Sequence, residues 1–512
     1  MVLPKLYNTL TRSLDPIQAP DGKVGVYCCG PTVYDVPHAG NARAALVPDI
    51  LVRLLRNLGL EVTYVRNVTD VDDKILDRAK QIGVAPLELS AKMAQVYQDL
   101  MHQIGCLAPT HEPKVSENIA DITRLIERLV KQGSGYVVER TNGLQDVYFS
   151  VRSFSEYGKL SRRKIDELQV GARIERDEEK NDPLDFALWK GVSTEEWGWK
   201  SPWGFGRPGW HTECSAMSHR YLGHGFSVHT GGMDLIFPHH ENEIAQSEAV
   251  NPGVGPMARC WIHNGFLNVD KEKMSKSLGN FVTVPDVLVR NDPEGFRWFL
   301  LTAHYRAPLQ LDTESASDGR VVFPAIDEAE RRVDYLYATV ERLAELRPVG
   351  TNKPVVAAAA PSSFEKAITK GISEVHAALL DDLNTPVALA SLGELLKSAN
   401  ELCDLKQKRR KDATFVATAE VLGEKMLKAL RQITELLGLW QSTLAEYRAR
   451  TARRRADCRG LSLEAISTKV DEREAARQSR DFARSDALRD ELLGWGVIVK
   501  DTIDGPVWTL SV

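Results

Sequence analysis

The feature that most restricts the fold of this chain lies near its start. Residues 24–29 form a short apolar run closed by the turn signal Gly30-Pro31. An Ala/Leu/Val-rich stretch with helical spacing runs from Gly40 to Leu58 and stops at Gly59. A second apolar run follows at residues 62–66. Strand, helix and strand at this spacing make a βαβ unit, and a crossover of that length joins parallel neighbours in one sheet. The expected fold class is therefore α/β, built on a parallel sheet.

Downstream, helical spacing recurs at residues 87–104 and 118–132. Residues 150–209 are irregular, with charge clusters followed by Trp197, Trp199, Trp203 and Trp210 among Gly and Pro, and they read as an insertion or lid rather than a plain helix or strand. Residues 240–250 are again helical, and a Lys/Ser/Gly-rich loop spans 270–280. Past Tyr305 four apolar periodic stretches, 325–346, 364–380, 386–405 and 415–439, predict a bundle. Residues 348–363, rich in Pro and Ala, read as a linker. Two basic runs, 406–411 and 448–459, interrupt this half, and the tail reads as one helix over 464–493 followed by a strand at 497–500.

Composition sets outer limits. In 512 residues, 65 Lys plus Arg against 70 Asp plus Glu leave a net charge of −5, which excludes a histone-like polycation but not a nucleic-acid partner held by local basic patches. Seven cysteines, sparse and odd in number, do not fit a disulfide scaffold and point to a reducing compartment. The N-terminal residues lack the apolar core of a secretory signal, and no run of 18 or more apolar residues exists, so the chain is expected to be cytosolic, with no membrane partner.

Three stretches carry chemistry. In Phe237-Pro238-His239-His240-Glu241-Asn242-Glu243, a helix sets His239 and Glu243 on one face. With Cys214 from His211-Thr212-Glu213-Cys214 and Cys29 from the end of the first strand they make a candidate Cys₂HisGlu zinc set. Taken singly, each has a plainer reading, since a strand-end Cys is often a small buried hydrophobe and a His-Glu pair is often a solvated face. Second, Pro37-His38-Ala39-Gly40-Asn41 precedes the first long helix, whose unpaired N–H groups suit a phosphate; an ordinary cap is the alternative. Third, Lys273-Met274-Ser275-Lys276-Ser277 offers two ammonium groups and two hydroxyls, fit to neutralise a triphosphate or to sit solvated on the surface.

Together these elements resemble the class I aminoacyl-tRNA synthetases. His38-Ala39-Gly40-Asn41 looks like the HIGH signature, with Asn where the fourth position carries His, and residues 273–277 match the KMSKS signature unchanged. Within that class the chain most resembles the cysteinyl-tRNA synthetase family. The marks are Tyr27-Cys28-Cys29-Gly30-Pro31-Thr32-Val33-Tyr34-Asp35, Asn67-Val68-Thr69-Asp70-Val71-Asp72-Asp73-Lys74, Gly209-Trp210-His211-Thr212-Glu213-Cys214-Ser215-Ala216-Met217 and the 237–243 segment. The resemblance covers essentially the full chain, tail included.

What the resemblance implies is specific. The activity is ATP-dependent attachment of L-cysteine to tRNA(Cys) through a cysteinyl-adenylate, with one Zn²⁺ selecting the substrate thiolate and Mg²⁺ travelling with ATP. Cys29, Cys214, His239 and Glu243 would hold the zinc, Cys28 being an extra. His38, Gly40, Asn41 and Lys276 would bind ATP; His38, Asn41, Lys273 and Lys276 would be catalytic. Gly30, Thr32, Thr69, Trp210 and Asp234 would line the amino-acid pocket, with Asp234 on the ammonium. The fold class implied is α/β, a Rossmann-like parallel-sheet nucleotide-binding domain with an insertion, followed by a helical bundle and a small C-terminal α+β domain: residues 1–310 (catalytic, with the insertion at about 105–209), 311–445 (a tRNA-binding helical bundle) and 446–512 (anticodon recognition, with Trp495 and Trp508 either stacking on bases or filling a core). The expected state is a monomer. Ligases that join cysteine to an amino sugar share the catalytic half but lack the long tail, and a non-catalytic RNA-binding paralogue would not keep all three motifs.

Overall fold

A computed structural model describes residues 2–164, 180–270, 272–273, 281–315, 319–346, 362–502 and 505–512, with Lys273 and Ser362 described by their backbone alone. The chain divides into two compact units. The first comprises Met1–Leu267, Ala303–Leu309 and His376–Thr385; the second comprises Asn268–Thr302, Gln310–Val375 and Pro386–Val512.

The first unit is built on four parallel strands: β1 (Lys23–Cys28), β2 (Glu61–Arg66), β3 (Phe226–Gly232) and β4 (Ala258–Asn264), in the spatial order β4-β3-β1-β2. Their residues are mostly buried and Val is the commonest among them, as a sheet covered on both faces demands. β1 and β2 are joined by helix α1 (Ala39–Asn57), which buries Ala39, Ala42, Ala45 and Leu46; small alanines let its axis lie close. Gly59, with φ of 80°, ends it as expected. Helices α2 (Trp210–Leu222) and α3 (Glu241–Ala249) flank β3 in sequence. The chain thus runs outward from the centre in opposite directions on either side of the β1–β3 pair. Ligands of open α/β sheets bind at the carboxyl ends of the strands where this reversal occurs.

The helices expected at 87–104 and 118–132 are present as Pro86–Gln103 and Ile119–Lys131, and a further helix, Asp73–Ile82, starts where Asp72 caps it by accepting from the Lys74 N–H. The irregular reading of residues 150–209 is corrected. Strands Phe186–Gly191, Trp199–Ser201 and Gly204–Pro208 join Gly135–Glu139 and Gln145–Phe149 in a five-stranded antiparallel sheet. These strands are three to six residues long and carry Gly and Trp, so alternation never becomes visible along one of them.

The second unit is largely helical. Pro324–Ala344, Ser362–Leu380 (which passes into the first unit at His376), Thr385–Lys408 and Ala413–Leu437 match the four periodic stretches. The single helix expected over 464–493 is instead two, Leu463–Gln478 and Phe482–Gly494, broken where Arg480 takes a φ of 60°. The tail ends in a hairpin, Val497–Thr502 with Gly505–Leu510. Trp495 and Trp508 pack against the tail core of Ile466, Val470, Leu492, Val497 and Leu510, the core-filling alternative of the two considered. The linker expected at 348–363 lies outside the described residues except at its last two positions, which begin the helix from Ser362.

The basic run at 448–459 belongs to helix Leu444–Asp457, and it too is corrected: most of its arginines do not face solvent for phosphate. Arg450 pairs with Asp292 and Glu294, Arg454 with Asp292 and Glu330, Arg455 with Glu330 and Asp334, and Arg448 with Glu341. Glu330 and Asp292 are buried, so the run is the cationic half of a buried ion network.

Candidate metal and nucleotide site

The sheet ends where the chemistry begins. Cys29 follows β1 directly, and its N–H donates to Thr230 O of β3 at 3.2 Å, which fixes its thiol at the carboxyl end of the central pair. Cys28, one residue earlier, is buried and turned to the other side, as strand alternation requires. Gly30 is demanded by its neighbour: a Cβ there would lie 1.6 Å from Asn67 O, and the Gly30 N–H donates to Asn67 Oδ1 at 2.9 Å.

Four side chains meet at this point. Cys29 Sγ is 3.6 Å from Cys214 Sγ on α2 and 3.4 Å from Glu243 Oε1 on α3. His239 Nε2 is 3.1 Å from the same Glu243 oxygen, the i, i+4 relation read from the sequence. One ligand atom from each of Cys29, Cys214, His239 and Glu243 lies within 4.8 Å of the others. Cys214, His239 and Glu243 are buried and Cys29 is half-buried. Two thiols, an imidazole and a carboxylate converging at this separation fit a zinc ion.

The electrostatics suit a cation. Burial, then the hydrogen bond and charge of Cys214, push the Cys29 thiol up, while the Cys29 S–H donating to Cys214 draws that thiol down to about 6. Burial alone would depress His239, but the Glu243 carboxylate and Cys214 raise it to about 10. Burial opposes ionisation of Glu243 as well, yet His229 and His239 hold it well below the usual carboxylate range. The cluster therefore keeps its charge only through mutual pairing, which is the condition a divalent cation relieves.

A layer of histidines and one acid behind these four was missed from the sequence. His211 Nδ1 lies 2.9 Å from His239 Nδ1 and leaves His239 Nε2 toward the cluster. His229 Nε2 meets Glu243 Oε2 at 2.9 Å, so one carboxylate oxygen is held from behind and the other faces the thiols. His240 Nε2 is 3.4 Å from Cys29 Sγ, its Nδ1 is 2.7 Å from His263 Nε2, and His263 Nδ1 is 2.7 Å from Thr9 Oγ1. Cys29, His229, His240 and Glu243 thus form a second, overlapping group of metal-ligating types. Such outer partners orient ligands and fix their tautomers. The one available signal was density: seven of the twelve histidines fall within residues 211–263. Glu213 is also buried, and burial raises its pKa well above the usual range; it accepts from Thr69 Oγ1 at 3.3 Å.

Of the expected pocket residues, Thr32 and Thr69 form a parallel bridge between the loops that follow β1 and β2, and Thr69 is buried. Trp210 is exposed at the start of α2, with its ring stacked 4.3 Å from that of His239. Asp234 is exposed in the turn directly after β3. His38 caps α1. Its N–H donates to Asn41 Oδ1 at 3.0 Å, so Asn41 spends its oxygen on the cap and keeps its NH₂ group as a donor. Gly40 permits the fold-back of the His38 ring, whose Nδ1 lies 2.9 Å from where a Cβ at Gly40 would stand. Lys273 is described by its backbone alone, paired with Asn268, and Lys276 lies outside the described residues.

Residues 16–320 match the family model for the class I tRNA synthetase (C) catalytic domain, and residues 374–441 match the DALR domain. The cysteine–tRNA ligase of Anaeromyxobacter sp. (strain K) is 44% identical over 513 residues, covering 99% of each chain. That of Thermodesulfovibrio yellowstonii is 42% identical over 517 residues, covering 99% of this chain and all of its own. The chain belongs to the cysteine–tRNA ligase family. The ligase also shares its fold with a Mycobacterium tuberculosis methionyl-tRNA synthetase in complex with methionyl-adenylate, at a TM-score of 0.61 and 15% identity over 81% of this chain and 91% of that one. It is thus a class I aminoacyl-tRNA synthetase, an enzyme with an α/β catalytic half and a helical DALR region. Among its described residues no helix is long and apolar enough to cross a membrane.

Proposed function

We propose that this chain charges tRNA(Cys) with L-cysteine in two steps, activating the amino acid as cysteinyl-adenylate and selecting it through a zinc ion held by Cys29, Cys214, His239 and Glu243. The observation that carries this reading is the convergence of those four ligand atoms at the carboxyl end of β1 and β3. Its relatives' names supply the substrates.

Cysteine and serine differ by sulfur against oxygen, and a pocket of fixed shape discriminates poorly between near-isosteres. Zinc held by the four residues would supply a borderline-soft Lewis acid that gains a strong bond to a thiolate and much less from a hydroxyl. The chain's own residues do the rest. Asp234, exposed beyond β3, takes the substrate ammonium. Trp210, Thr32, Thr69 and Gly30 enclose the small side chain.

In the first step a carboxylate oxygen of cysteine attacks the α-phosphorus of ATP, which enters with Mg²⁺, and pyrophosphate leaves. No side-chain acid or base is needed; alignment and charge stabilisation are. The start of α1 offers unpaired N–H groups, and His38, Gly40 and the Asn41 NH₂ lie there. Lys276, with Lys273 assisting, neutralises the departing phosphates. In the second step a ribose hydroxyl at the tRNA 3′ end attacks the adenylate carbonyl, and AMP leaves. The bundle (311–445) and tail (446–512) hold the tRNA. The exposed Lys408, Arg410 and Lys411 are suited to phosphate contacts, and in the second run Arg453 is exposed.

Cysteine-dependent ATP–pyrophosphate exchange tests the reading, with serine as the control and zinc counted in the same sample. Exchange with cysteine, none with serine, and one zinc per chain are expected. Equal exchange with both amino acids contradicts it.

A further inference from the structure

Arg43 stands on α1 two residues beyond Asn41, and its side chain is buried. Among the described residues no carboxylate pairs with it. Its donors go to main-chain carbonyls: Nη1 to Phe266 O at 2.6 Å, and Nη2 to His304 O and Tyr305 O at 3.3 Å each and to Ala307 O. Burial draws its pKa down to about 10, which leaves it charged at neutral pH. A buried cation that meets only dipoles gives up much of its hydration energy. A hydrophobic residue would fill the space at less cost in desolvation, so what the arginine adds is the geometry of its bonds.

Those carbonyls belong to two segments with one thing in common. The chain leaves the first unit after Leu267 and returns through Ala303–Leu309. Exit and return are joined by Gly265 N–H to Tyr305 O at 2.8 Å and by Leu309 N–H to Phe266 O at 2.9 Å. They run so close that a Cβ on Gly265 would lie 2.5 Å from Ala307 O. The last return, His376–Thr385, is tied to the same place: Tyr305 Oη donates to Asp382 Oδ1 at 2.6 Å and Arg306 Nε to Asp382 Oδ2 at 2.7 Å. Only a planar fork with several donors reaches exit and return together.

We propose that Arg43 is a positioning residue for adenylate formation: by tying Phe266 and residues 304–307 to α1, it holds the helix that starts at His38 and Asn41 in place at the carboxyl end of β1. The inference rests on the ATP role proposed for His38 and Asn41. Arg43 touches neither substrate nor metal in this scheme. Its effect belongs to ATP use and not to cysteine binding, because a small misplacement of aligned groups slows a reaction whose catalysis is alignment.

The test uses the full chain with R43K, R43M and G265A, the last forcing the same two segments apart. Exchange kinetics are measured against ATP and against cysteine, alongside zinc content. In R43M and G265A the kcat/KM for ATP is expected to fall roughly 10- to 100-fold with a rise in KM for ATP, while KM for cysteine stays within about twofold and zinc content is unchanged. R43K, which keeps the charge but not the fork, is expected to recover part of the loss. A merely structural role would lower the active fraction and leave both KM values alone. Wild-type kcat/KM for ATP in R43M, or in R43K should R43M not accumulate folded, overturns the proposal, and so does an equal rise in KM for cysteine. Absence of exchange in the wild-type chain would instead remove the underlying ATP reading, and the inference with it.

Discussion

Cys29 Sγ and Cys214 Sγ lie 3.6 Å apart although 185 residues separate them in the chain. β1 delivers one thiol and α2 the other, and Cys28, next door, is delivered elsewhere. C29S and C214S should therefore lose zinc and cysteine-dependent exchange, whereas C28S should keep both. Cys28 is buried and its thiol is pushed up to about 12 by that burial, which leaves it an inert core residue. Metal analysis of the three purified variants decides the matter; loss of zinc from C28S would contradict the assignment.

His211 would act on a metal at this site through His239, by the 2.9 Å contact between their Nδ1 atoms. Removing an outer partner of this kind typically costs about 10- to 100-fold in metal affinity. H211A is expected to fall in that range in a competition titration with a zinc chelator, and to regain exchange activity when zinc is supplied in excess. An affinity equal to wild type would show that His211 orients nothing.

Four arginines of helix Leu444–Asp457, Arg448, Arg450, Arg454 and Arg455, pair with protein carboxylates. R455A takes one of two arginines from the buried Glu330 carboxylate, and breaking a buried pair costs about 3–5 kcal/mol. Chemical denaturation of the second unit should register that loss. Affinity for tRNA should keep its salt dependence in R455A. The triple variant K408A/R410A/K411A should instead retain stability and lower the slope of log affinity against log salt by about two to three. An unchanged slope in the triple variant would move the phosphate contacts elsewhere.

Asp501 supplies a test by pH. Hydrogen bonds from Arg473, opposed by some burial and aided by Arg477, hold its carboxyl down to about 2. A depressed carboxylate stabilises the fold fully above its unfolded value of about 3.9, and the contribution is lost as pH falls through the folded value. Asp501 is well exposed, so solvent screening limits its worth to about 1 kcal/mol or less. The melting temperature of D501N should trail wild type at pH 6, and the gap should close between pH 4 and pH 2. A gap that persists at pH 2 would mean the aspartate acts other than by charge.

The βαβ core, the long helices and the short motifs that supply the four proposed ligands were legible because each is a local pattern: an apolar run, a 3.6-residue period, a motif of a few residues. The outer histidines were not. His229 lies between Tyr27 and Trp261 only because β3 pairs with β1 and β4 in one register, and its ring then stacks 4.2 Å from Trp261. Strand register between distant segments leaves no mark in a linear pattern. The same holds for the arginine run, since the carboxylates that neutralise Arg450 and Arg455 lie 158 and 125 residues away. A basic stretch with remote partners reads like a free one.

The claim on which the rest depends is that sulfur from the substrate joins sulfur from Cys29 and Cys214 at one metal. X-ray absorption at the zinc edge tests it on the full chain, alone, with cysteine and with serine. The account predicts two sulfur neighbours in the resting protein, three with cysteine and two with serine. An identical zinc environment in all three samples would contradict it.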